Sequence, residues 1–137
     1  MNDKSKHWLS LSEYDIETAH AMLETKRYLY VGFMCHQTIE KALKAVIASS
    51  NVMPPRIHGL KVLAEQSNIY KDMDDDQKNF LDILSPLNVA TRYSDDKAKL
   101  TSVLTPVKCK DILDETEELL CWIKQQLSKL QSVTHNG

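Results

Sequence analysis

Between residues 6 and 26 the side chains Trp8, Leu11, Ile16, Ala19, Met22 and Leu23 recur at spacings of one to five, which is the period of a helix with one broad buried face. Asp15 falls on that same side, seven residues after Trp8 and four before Ala19, where a carboxylate needs a partner. Residues 29–50 are apolar or small around most of the helical circumference. Their narrow polar strip runs through Gln37, Lys41 and Lys44, with Glu40 beside it, so this second helix is expected at the centre of a bundle. Asn51 and the Pro54-Pro55 pair should end it, because proline lacks a backbone donor and disfavours helical geometry in the residue before it.

A short third helix is predicted over 58–67, around Leu60, Leu63 and Ala64. The run Asp74-Asp75-Asp76 should open a fourth, with Asp74 as N-cap and Gln77 at the capping-box position. Its apolar face is Phe80, Leu81, Leu84 and Leu87, with Pro86 giving a kink or an early end. Residues 91–104 show no sustained period and read as the longest connector, of a size that often carries function. Thr105-Pro106 then starts a last helix to about residue 130, striped by Ile112, Leu113, Leu119, Leu120, Ile123 and Leu127, with a frayed tail beyond it. The expected architecture is all-α: an antiparallel four-helix up-and-down bundle with a short additional helix. It forms one domain over 1–137, with an ordered core of about 6–130.

Composition narrows the chemistry. Only three glycines occur in 137 residues, which leaves no glycine-rich phosphate loop and no series of tight hairpins. No stretch approaches the ~18 uninterrupted apolar residues of a membrane span. The first residues lack the apolar run of an export signal. Cys35, Cys109 and Cys121 are odd in number and widely spaced, as expected of reduced thiols in a cytoplasmic protein. The net charge of −2 argues against holding nucleic acid by bulk charge. Residues 1–61 carry 8 basic and 6 acidic groups and residues 62–137 carry 9 and 13, so the second half is the negative one.

Glu17 and His20 match one Glu-x-x-His of a di-iron bundle, but such sites need a second copy and two further glutamates. His36 and Glu40, four apart, make only a two-ligand pair, and no metal or other cofactor is expected. No nucleophile motif is present. Two polar groups are left. Gln37, Glu40, Lys41 and Lys44 share one side of the second helix, either as a solvated face with a Glu40–Lys44 pair or as an anionic-ligand site, with Asp15 as counter-charge to one lysine. Arg92-Tyr93 offers a planar fork for phosphate and a stacking face, or equally an ion pair and a lid on the bundle.

At these residues the chain resembles the HEPN family, small helical-bundle proteins of bacteria and archaea. The resemblance rests on Trp8, Asp15 and Ala19, on Tyr30-x-x-Phe33-x-x-x-Gln37-x-x-Glu40-Lys41-x-x-Lys44-Ala45, and on His58-Gly59-Leu60. It continues through Arg92-Tyr93-Ser94-Asp95-Asp96 to Trp122-Ile123. It implies a homodimeric bundle that binds a nucleotide or a separately encoded minimal nucleotidyltransferase. Gln37, Lys41, Lys44, Arg92 and Tyr93 would face the ligand, and Asp15, Glu40 and His58 would support them. Ribonuclease toxins of the family carry an arginine followed four to six residues later by histidine. Here Arg92 is followed by Tyr93, Ser94, Asp95, Asp96, Lys97, Ala98 and Lys99. The expectation is therefore a non-catalytic module. The alternatives are a ribonuclease using His36 or His58 instead, or a purely structural interaction bundle.

Overall fold

The computed structural model describes residues 1–89 and 94–136. Among them it is all-helical, with six α-helices: α1 (Asp3–Glu24), α2 (Tyr28–Ala48), α3 (Leu60–Gln66), α4 (Asp75–Leu84), α5 (Ser94–Val103) and α6 (Pro106–Asn136). Two 3-10 turns, Tyr70–Asp72 and Ser85–Val89, flank α4.

Helix α2 is the central element and packs on α1, α6, α3, α4 and α5. This follows from its sequence. Val31, Cys35, Ile39, Ala42, Leu43, Ala45 and Val46 are each at most 1% exposed, and they cover far more than one stripe of the helix. Small and hydroxyl-bearing residues let α1 come close. Asn2 Nδ2 donates to the carbonyl of Ala48 at 2.7 Å, Ser5 Oγ to that of Ala45 at 2.8 Å and Ser12 Oγ to that of Thr38 at 2.6 Å. The rising numbers on α1 meet falling numbers on α2, so the two helices are antiparallel. Buried hydroxyls cost free energy unless bonded, and each of these finds a backbone acceptor. Helix α6 pairs His20 with Glu117 and Glu13 with Lys124 across α1, again antiparallel.

The helix ends obey local chemistry. Asp74 accepts from Gln77 N at 2.8 Å and Gln77 Oε1 accepts from Asp74 N at 2.9 Å, the reciprocal capping box expected there. Asn51 and Asn68 take left-handed backbone angles just past α2 and α3, a conformation in which asparagine is tolerated. Pro86 brings the early end of α4, since the chain passes at Ser85 into a 3-10 turn.

Three expectations are corrected. Helix α1 begins at Asp3 rather than residue 6, because Asn2 caps it by accepting from Ser5 N. The expected connector at 91–104 contains helix α5, which makes six described α-helices rather than five. Its inward side rests on Leu100, partly buried, and Leu104, 2% exposed just past its end. Two apolar residues one turn apart are too few to show a period. The last helix runs on to Asn136 instead of fraying after 130, as no proline or glycine interrupts residues 107–136.

Candidate functional site

The polar strip of α2 is not a solvated face. Glu40 is 3% exposed and Lys44 5%, and with His36 they form a charged cluster inside the bundle, reached from outside through His58. Glu40 is its hub. Lys44 Nζ donates to Oε2 at 3.2 Å, His58 Nδ1 lies 3.0 Å from Oε1, and His36 Nδ1 lies 3.8 Å from the same oxygen. A carboxylate only accepts, so His58 Nδ1 is the donor of this bond and Nε2 is the ring nitrogen turned away from Glu40. The Lys44 ammonium also stands 5.4 Å from the centre of the Trp8 ring, a cation–π contact that replaces part of the lost hydration.

One turn away on α2, Lys41 is more open. Its ammonium donates to Asp15 Oδ2 at 2.5 Å, with the lysine side chain 21% exposed and the aspartate 8%. Asp15 of α1 thus acts as counter-charge to one lysine of the strip. Gln37 precedes Lys41 by one turn, and its Oε1 is buried without a hydrogen-bond partner, as is His36 Nδ1. Such orphaned polar atoms are uncommon in folded proteins, and two of them sit together at the edge of this cluster.

Burial holds the His36 imidazolium below its ordinary value of 6.5, against the opposing pull of Glu40. The folded protein therefore carries His36 neutral where the unfolded chain would protonate it. Stability contributed by this group is complete above pH 6.5 and is lost as the pH falls below that value. We expect the unfolding free energy from urea titrations to fall below pH 6.5 by up to ~1.4 kcal/mol per pH unit from this one proton. A His36→Gln variant should show a flatter profile than the wild type. Equal slopes would mean that His36 is already charged when folded.

The other candidates are dispersed. Glu17 and His20 are exposed on α1, where His20 pairs with Glu117. Among the described residues no group of three His, Cys, Asp or Glu side chains is placed to hold a metal ion. Cys35 and Cys109 are free and buried, and burial pushes their thiols up to about 12 and about 11, so neither is a ready nucleophile. No described helix is long and apolar enough to cross a membrane. Arg92 and Tyr93 lie outside the described residues.

Sequence reasoning put Gln37, Glu40, Lys41 and Lys44 on one side of α2 with Asp15 as counter-charge to one lysine; the structure pairs Asp15 with Lys41, and Glu40 with Lys44 and His58. It also moves two of them. Lys44, taken as a ligand contact, turns inward to Glu40, and Glu40 is the hub rather than a neighbour of the strip. The four-residue step from His36 to Glu40 was read as a pair and is one here, buried rather than solvated. The contact of Trp8 with Lys44 was missed, because spacing along one helix does not say which neighbour on another helix a side chain meets.

The family model for the HEPN domain matches residues 5–126. The crystal structure of TT1696 from Thermus thermophilus superposes with a TM-score of 0.78 at 18% identity, covering 90% of this chain and 98% of that one. That likeness is one of fold. A comparison with curated proteins finds no match.

Proposed function

Because this chain belongs to the HEPN domain family, we propose that it is a binding module that takes the phosphate of a nucleotide at Lys41, beside Gln37 and His58. The observation that carries the reading is the Lys41–Asp15 pair. A buried carboxylate holds one proton of a part-exposed ammonium and thereby fixes the direction of the other two. Gln37 lies one turn before Lys41 on the same side of α2. Lys44 and Glu40 act from beneath by holding His58. Arg92 and Tyr93 are proposed to complete the phosphate fork and the stacking face. A homodimer and a nucleotidyltransferase partner belong to the same proposal.

A thermal-shift titration with nucleoside mono-, di- and triphosphates tests it. A ligand at ~100 times its Kd stabilises the fold by about 2.7 kcal/mol. The shift should vanish in Lys41→Gln, which keeps a donor for Asp15 but removes the charge, and persist in Lys129→Gln. No shift with any nucleotide, or a shift that survives Lys41→Gln, would remove the site.

One observation favours a second reading. His58 oriented by a buried carboxylate through Nδ1 has the geometry of a general base, which suits an RNA-cleaving enzyme with a non-standard histidine. In that case the wild type cleaves RNA and His58→Gln does not.

A further inference from the structure

Part of the acidic bias of the chain's second half lies along one groove. Helix α4 packs chiefly on α2, on α3 and on its own following 3-10 turn, while α6 packs on α2 and α1. Between α4 and α6 this leaves an open groove of about 530 Å³. Its floor is Phe80 and Leu119, each 3% exposed, and Ile83 stands on its wall at 44% exposed. Its rim carries Asp76 from α4 and Glu115 and Glu118 from α6, and among the described residues no lysine or arginine lines it.

Three neighbouring carboxylates have partners of their own. Asp74 caps α4, Asp114 pairs with Lys110, and Glu117 pairs with His20. Lys78, the cation of α4, stands 4.9 Å from the Tyr70 ring instead. Asp76, Glu115 and Glu118 make no ion pair with any described residue. The positive end of α4 explains Asp76, which lies in its first turn. It does not explain Glu115 and Glu118, which are beyond the first turn of α6. Three like charges around an apolar floor repel one another, and a cationic surface laid over them relieves that repulsion and covers Ile83 together.

We propose that the groove between α4 and α6 docks a positively charged amphipathic helix of another protein. An apolar side chain would seat against Ile83 above Phe80 and Leu119, with lysines or arginines one turn to either side reaching Glu115, Glu118 and Asp76. This is helix-in-groove recognition, with apolar anchors for affinity and charge for orientation and encounter rate. The surface is separate from the Lys41 site, and the proposal stands independently of nucleotide binding.

Fluorescence anisotropy of three labelled synthetic peptides tests it: an amphipathic helix of leucine and lysine, a scrambled peptide of the same composition, and a leucine–glutamate helix. The leucine–lysine helix should bind, weaken as salt is raised, and lose about tenfold or more in affinity in Ile83→Ser and in the Glu115→Gln/Glu118→Gln pair. Lys41→Gln should leave it unchanged. Ile83, Glu115 and Glu118 are exposed, and circular dichroism melts check that each variant folds. Absence of binding, equal binding of the scrambled peptide, or insensitivity to Ile83→Ser would overturn the proposal. Displacement by spermidine at equal concentration would point to a general polycation surface and overturn it too. A change of oligomeric state on Ile83→Ser without peptide would assign the groove to a second copy of this chain, against the proposal.

Discussion

Glu40→Ala should destabilise the protein by about 3–5 kcal/mol, the range seen when one partner of a buried ion pair is removed. The loss comes less from the missing attraction than from what stays behind. Lys44, its side chain 7% exposed, would keep an ammonium whose remaining described neighbour is the face of Trp8. His58 would lose its anchor, and His36 would lose the carboxylate 3.8 Å away. The double variant Glu40→Met/Lys44→Met removes both charges at similar volume and should lie within about 1 kcal/mol of the wild type, because the desolvation cost of both ions disappears with their attraction. Urea unfolding at unchanged m-value separates the cases. A single variant losing less than about 1 kcal/mol would show that water enters and solvates the pair.

Ile39→Ala is the second large effect, at about 2–5 kcal/mol. Ile39 is fully buried on α2, one residue from the Glu40 hub, in the core that α1 and α6 pack onto. Truncation leaves a cavity walled by elements pinned elsewhere. The bonds from Asn2, Ser5 and Ser12 to α2 carbonyls hold α1 in place, so relaxation into the void is limited. Val107→Ala, 73% exposed on α6, should change stability by no more than about 0.5 kcal/mol and serves as the comparison. If the Ile39 variant lost as little as the Val107 variant, the helices would be able to collapse and the bundle would be far less rigid than its bonding implies.

The two effects are neighbours in sequence and opposite in kind. Residue 39 repays packing, whereas residue 40 repays a charge that packing alone would have excluded. A central helix in a domain of 137 residues has apolar residues enough to fill its core without Glu40, Lys44 and His36. Their burial is costly, and through Glu40 it holds His58 in place.

Much of the fold was legible because it rests on local rules. Apolar period marks α1, α2 and α6, and the central place of α2 follows from residues that are apolar or small on nearly every side. The capping box at Asp74–Gln77 and the start at Thr105-Pro106 are short-range hydrogen-bond and backbone preferences, readable from a few adjacent residues. Helix α5 escaped because its inward contact is carried by Leu100 and Leu104, while Ala98, Lys99, Ser102 and Val103 are exposed. The polar strip was legible as positions on one side of α2 and not as an arrangement. A helix places Gln37, Lys41 and Lys44 on one side whatever surrounds it, so spacing predicted their alignment.

What the sequence determined by itself is therefore the helical identity of the chain, the central helix, most of the caps and the grouping of the polar strip, all set by side chains within a few residues of one another. What only tertiary structure decided is which lysine each acid takes and how deeply the pairs are buried. Lys44 turns to Glu40 under Trp8, Lys41 turns to Asp15 on another helix, and His58 arrives from the segment before α3 to share the Glu40 carboxylate. Pairing depends on distance across elements far apart in the chain, and a burial cost that falls on the folded state alone leaves no periodic trace in sequence.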